Sequence, residues 1–171
     1  ENGNPGEHEL LAGEHGEAMA AARWLAVQPD VDVDQLSVFG TAEGGALAAL
    51  LALDPEAPFA TIAAVSAVTT TTTFARWQRD GGKALPFDVN DPVEQRRRAL
   101  LPNAAELARP PVLYVVQDDV EGARDAQRLQ GRAPPLVELV PVPGDATTAG
   151  LTHPEAYTRA LHGIPGVTLP R

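Results

Sequence analysis

Residues 38–45 read Val38-Phe39-Gly40-Thr41-Ala42-Glu43-Gly44-Gly45, and the fold turns on how this stretch is read. Leu36 to Phe39 is a short apolar run that ends at Gly40, as a buried strand would. Glu43 to Leu53 is rich in Ala and Leu and reads as a helix, closed by Asp54-Pro55. The segment therefore predicts a strand that turns sharply into a helix. Gly40 and Gly44 stand two positions on either side of Ala42, and small residues there let such a turn close. A central residue so placed projects above the sheet, with helix N-terminal N–H groups beneath it to favour an oxyanion. In the G-x-S-x-G pattern that residue is a nucleophilic serine, and here it is Ala42, which has no hydroxyl. A tight strand–helix turn with glycines kept for packing fits the same residues.

Outward from this turn, helices alternate with apolar runs. Glu14 to Gln28 is helical in pattern, with Met19, Ala22, Trp24, Leu25 and Ala26 on its apolar face, and Pro29 stops it. An acidic turn, Asp30 to Asp34, leads to the first strand. After the Ala/Leu helix, Phe59 to Val68 predicts a second strand, which Thr69 to Thr73 continue into a loop. The segment RDGGKALPFDVN (79–90) reads as loop. Asp91-Pro92 then opens a charged helix carrying Arg96, Arg97 and Arg98, with Asp as cap and Pro at the first helical position. Pro110-Pro111 introduces the strand Val112–Val116. Gly122 to Gln130 is a helix, Leu136 to Val142 a strand ended by Pro143-Gly144, and His153-Pro154 opens a last helix to about His162. Strands alternating with helices pair in parallel, and strands buried on both faces read as unbroken apolar runs. The expectation is a three-layer α/β sandwich in which strands near 36–39, 60–66, 112–116 and 136–142 are parallel neighbours in that order. Residues 1–171 are expected to form one domain.

Composition narrows the function classes. The chain has 171 residues, 44% apolar and 21% charged, which suits a globular domain with a sizeable core. Its net charge of −10 argues against nucleic-acid phosphates and anionic lipid as partners. There is no cysteine, so disulfides, zinc–thiolate sites and a cysteine nucleophile are excluded. No apolar run is long enough to span a bilayer. The bias toward Ala, Pro, Arg and Gly reads as a GC-rich bacterial gene, for a soluble protein of the cytoplasm or one that is exported. His8, His15 and His162 lack the mutual spacing of a metal site and read as surface residues, so neither metal nor cofactor is expected. Trp24 and Trp77 read as core or pocket wall, and the three arginines as a solvated face paired with Asp91 and Glu94.

The run AARWLAVQPDVDVDQLSVFGTAEGGALAALLAL followed by PFATIAAVSAVT resembles the prolyl oligopeptidase family of serine hydrolases, which have the α/β-hydrolase fold. In that family a helix ending in Trp-Leu precedes a P-x-V-D turn, the elbow strand and a G-x-S-x-G-G turn. NDPVEQRRRALLPNAAELARPPVLYVV resembles the excursion before the family's proline-valine-leucine strand, and ELVPVPG its last strand and exit. The resemblance spans residues 14–163. It implies a peptidase or esterase by descent, a C-terminal portion of the fold with the earlier strands missing, and a peptide or ester as substrate. It implies that Ala42 holds the nucleophile position, with Gly40, Thr41, Glu43 and Gly44 around the bound substrate. It implies that the acid lies in the loop after Val116, where Asp119 is favoured over Asp118, with Glu121 behind them. It implies His153 as base.

The chain departs from the family at several points. The H-G-x-x-D signature is replaced by Val116-Gln117-Asp118-Asp119-Val120, and the first histidine after Pro143-Gly144 is His153, several residues late. Solvated acids capping a helix account for Asp118 and Asp119 as well, and a surface histidine before a helix accounts for His153. Without a serine no acyl-enzyme forms, so the expectation is a catalytically impaired domain. Its alternatives are a non-enzymatic binding or assembly module and a Ser→Ala mutant made to trap substrate. An elbow strand with an open edge calls for another segment or another chain to complete the sheet.

Overall fold

The computed structural model describes residues 8–82, 84–107, 112–117, 120–133 and 137–141. In chain order these form α1 (Ala12–Ala26), β1 (Ser37–Thr41), α2 (Ala42–Leu51), β2 (Thr61–Val65), α3 (Thr72–Gly81), α4 (Pro92–Arg98), β3 (Val112–Gln117), α5 (Val120–Arg132) and β4 (Val137–Pro141). Two short 3-10 turns, Val33–Gln35 and Leu101–Glu106, join them. The strands make one sheet in the order β1-β2-β3-β4, every pair parallel. This is the strand order and direction expected from the alternating pattern. Parallel pairing needs a crossover between strands, and each crossover here carries a helix.

All five residues of β2 are buried, so both faces of the central sheet are covered. One core cluster joins Met19 of α1, Ala48, Ala49 and Leu51 of α2, Ile62 and Ala64 of β2, and Ala126 and Leu129 of α5. A second joins Leu10 and Leu11 to Ala46, Leu50, Val68 and Phe74. Small residues on α2 set the distance of helix from sheet. A Cβ added at Gly45 would stand 2.8 Å from the Val65 carbonyl oxygen, which backbone cannot accommodate.

The helix α3 takes in Thr72 and Thr73 at its start and residues 79–81 at its end, all of which the sequence reads as loop. Threonine is a poor helix former because its branched Cβ loses freedom against the preceding turn. The run Thr69–Thr73 therefore conceals the start of the helix, whose N-cap is Thr71. Phe74 decides the matter: it is fully buried and stacks edge-on against Trp77 at 5.3 Å and Phe87 at 5.8 Å. Burying one such ring is worth roughly 1.5–3 kcal/mol, which exceeds the few tenths lost at each threonine. Gly82 closes α3 in the left-handed region, φ 64°, its N–H donating to the Gln78 carbonyl at 2.9 Å. Thr69 and Thr70 lie between β2 and α3 as expected.

Three further expectations are corrected. Trp24 is 64% exposed and Trp77 41%, so neither is a core residue. Arg98 is buried rather than solvated, at 3% exposure. Its Nε donates to the Leu10 carbonyl at 2.8 Å and its Nη2 to the Glu9 carbonyl at 2.9 Å, while Nη1 pairs with Glu94 and the guanidinium covers the Phe87 ring at 4.1 Å. Burial pushes its pKa down, against the raising effect of Glu9 and Glu14. Among the described residues Asp91 makes no ion pair; it caps α4, accepting from the Val93 N–H at 2.8 Å. Glu94 does pair with Arg97, at 3.2 Å. No helix among the described residues is long and apolar enough to cross a membrane.

Candidate functional site

The turn from β1 into α2 is tight. Thr41 is extended, at φ −123° and ψ 148°, and the next residue, Ala42, has φ 51°. This is the left-handed region, which costs an L-residue with a side chain roughly 1–2 kcal/mol. The sharp strand-to-helix turn expected at this stretch is present, with Ala42 at its centre. Gly40 makes it possible: a Cβ there would collide with the backbone carbonyl of Gly44 and come within 2.8 Å of the Gly45 nitrogen. A Cβ added at Gly44 meets nothing within 4 Å among the described residues, so the second close-packed glycine there is Gly45 and not Gly44. The notion that Gly44 is required by sterics at the turn is thereby corrected. Ala42, Thr41 and Gly44 are exposed, while Gly40 and Glu43 are partly covered.

Ala42 begins α2, a helix of ten residues whose cap, Thr41, makes no side-chain hydrogen bond to it. The first N–H groups of α2 therefore have no side-chain acceptor at the cap, and the partial positive charge of the helix end accumulates there. Glu43 puts a carboxylate in that same first turn. It steadies the helix through the dipole and sets negative charge close to where an oxyanion would develop.

The C-terminal edge of a parallel sheet is where such folds bind ligands. The registers Thr41↔Val65 and Val65↔Val116 place the exits of β1, β2 and β3 side by side there. Asp118, Asp119, His153 and His162 lie outside the described residues. Glu121 is in the first turn of α5. His8 lies 3.5 Å from Glu14 on the surface, and His15 is partly buried. Among the described residues no group of His, Asp and Glu could hold a metal ion. A cleft of about 420 Å³ is lined by Ala12, His15, Leu53, Asp54, Arg96 and Arg97 among others. It opens at the C-terminal end of α2, the opposite end from Ala42, and so does not serve the elbow.

One residue at the sheet edge escaped the sequence reading. Ser66, just after β2, also has φ 51°, and this strained turn ends the strand at Val65 instead of Val68. Its Oγ is buried and has no hydrogen-bond partner among the described residues. The signal available in the sequence was a hydroxyl interrupting the apolar run Ile62-Ala63-Ala64-Val65.

No family model matches the chain, and no curated protein matches it. Solved structures do. An esterase of Pyrococcus furiosus superposes with a TM-score of 0.64 at 18% identity, over 92% of this chain and 62% of its own. Dipeptidyl peptidase 4 of Porphyromonas gingivalis gives 0.59 at 16%, over 88% and 23%. A putative non-heme bromoperoxidase of Mycobacterium tuberculosis gives 0.57 at 17%, over 93% and 75%. The chain thus spans less than two thirds of the first two.

Proposed function

From the premise that this chain carries part of the α/β-hydrolase fold, we propose that it is a serine-hydrolase domain by descent, with Ala42 in the nucleophile position and hydrolysis lost. The observation that carries this reading is the left-handed Ala42 at the strand–helix turn over a closely packed Gly40. An alanine gains nothing from that conformation and bears its cost; a nucleophile gains its projection above the sheet. The family suggested is that of prolyl oligopeptidase-like peptidases and esterases, and the substrate class a peptide or an ester.

In this reading the N-terminal N–H groups of α2 receive the acyl oxygen of a bound ligand. Thr41 and Glu43 flank it. Asp119 and His153 hold the acid and base positions. A hydroxyl at residue 42 would lose its proton to the base as it attacks the carbonyl carbon, and the alcohol or amine would leave with that proton. With Ala42 no covalent bond forms, and what remains is binding and weak oxyanion stabilisation, far below the wild-type rate of such enzymes. Glu43 weakens that stabilisation further.

Fluorophosphonate labelling of the Ala42→Ser variant tests the reading. The probe, which needs only one slow attack assisted by the helix N–H groups, should attach at residue 42 of the variant over long incubation, located by peptide mass, while ester turnover, which also needs a placed base to deacylate, stays close to background because the acid loop and the histidine spacing depart from the family's. Labelling confined to other serines would sink the proposal. Turnover restored by several orders of magnitude would instead mean that the acid and base are intact and that the alanine alone silences the chain.

The second reading, a binding or assembly module, is favoured by one observation. Phe39 of β1, an edge strand among the described residues, is 39% exposed, and Trp24, Val27 and Val33 are exposed as well. A strand from another segment or another chain would cover that edge.

A further inference from the structure

Ala42 and Ser66 are the two residues at which β1 and β2 leave the sheet, and both have φ 51°. The register Gly40↔Ala64 and Thr41↔Val65, continued by one residue, sets Ala42 beside Ser66. Residues paired across parallel strands project to the same face of the sheet. The residue that falls next in register with Ser66, whose hydroxyl is buried and unpartnered, is thus Ala42. A buried hydroxyl without a partner destabilises the fold, and a left-handed serine adds strain.

The geometry points to Ser66 as a positioning residue for an oxygen at residue 42: its hydroxyl is the surviving half of a hydrogen-bonded pair whose other half was lost with the serine. This rests on Ala42 occupying the nucleophile position. It explains why the Ser66 hydroxyl is orphaned in this chain, and it assigns Ser66 the task of holding the rotamer of a hydroxyl one strand away.

A double-mutant cycle tests the pair. The full chain and its Ala42→Ser, Ser66→Ala and doubly substituted variants are unfolded in urea. Ser66→Ala alone should lower the unfolding equilibrium constant, since it removes an unsatisfied group. In the Ala42→Ser background the same change should raise it, since it removes a partner. The two effects should differ by about tenfold or more. Ser66→Gly, which deletes the hydroxyl and the strain together, should be more stabilising in each background yet show the same coupling. Effects that are additive within about twofold for both substitutions overturn the pair. Fluorophosphonate labelling of Ala42→Ser separates this inference from the reading beneath it. Coupling without labelling keeps the interaction between positions 42 and 66 but removes the hydrolase reading, and with it the role given to Ser66; labelling without coupling keeps the hydrolase reading and overturns the pair.

Discussion

At residue 40 the backbone of the following helix comes so close that no side chain fits, whereas at residue 44 there is open space. The two glycines look equivalent in a G-x-S-x-G pattern, and the structure separates them. Gly40→Ala should cost several kcal/mol, roughly 3 or more, because the added methyl meets carbonyl backbone that cannot yield. Gly44→Ala lies inside α2 with room for a methyl and should stabilise the chain by up to about 1 kcal/mol, the difference in helix propensity. Urea denaturation of the two variants checks both; equal losses would mean that the turn is not packed as described. The same contrast explains how much of the elbow was legible. Gly40 and Ala42 behave as the motif requires because their strain arises within a few residues. The role of Gly45 depends on Val65 in the next strand, which no local pattern discloses.

Among the elements, α4 does more than its seven residues suggest. Leu10 and Leu11 enter α1 in the left-handed region, at φ 55° and 79°, and Leu11 is the N-cap of α1 without a side-chain cap bond. Arg98, at the end of α4, holds this strained arm through the carbonyls of Glu9 and Leu10. A planar guanidinium donates in two directions at once while its face lies on Phe87, and an ammonium group cannot do so. Arg98→Met should therefore cost about 3 kcal/mol, and Arg98→Lys should recover little of it. Thermal unfolding, with proteolysis of the arm ahead of Ala12 as a local readout, decides; full recovery by lysine would reduce Arg98 to a simple charge. The threonine run shows a similar dependence on distant partners. The Thr69 carbonyl accepts from the Leu101 N–H at 3.0 Å, and the Thr70 hydroxyl lies 3.3 Å from an Asp125 carboxylate oxygen. These contacts bind the exit of β2 to the 3-10 turn and to α5, and five like residues in a row give no hint of them.

For the molecule as a whole, the exposed side of β1 sets the behaviour in solution. A parallel edge strand offers unpaired N–H and C=O groups, and among the described residues β1 is such an edge, beside the exposed Phe39. The net charge of −10 opposes association at low salt, and screening removes that opposition. The chain should therefore self-associate as salt and concentration rise. Phe39→Lys should suppress this by placing a charge on the edge. Sedimentation velocity from 20 mM to 500 mM salt, roughly a fivefold change in Debye length, measures it. A monomer throughout that range would show that the edge is protected in the chain itself.

The sequence by itself determined the alternation of strand and helix, the parallel order of four strands and the strained turn at Ala42. These follow from residue size, periodicity and backbone sterics, which act over a few neighbours and are written in consecutive residues. Only the tertiary structure decided that a left-handed Ser66 ends the second strand, that Gly45 and not Gly44 is the close-packed glycine, that Arg98 is buried, that Trp24 is exposed and that the threonines open a helix. Each of those depends on which distant segment is brought alongside, through register between strands and packing of helix on sheet, and adjacency of that kind has no counterpart in the order of residues along the chain.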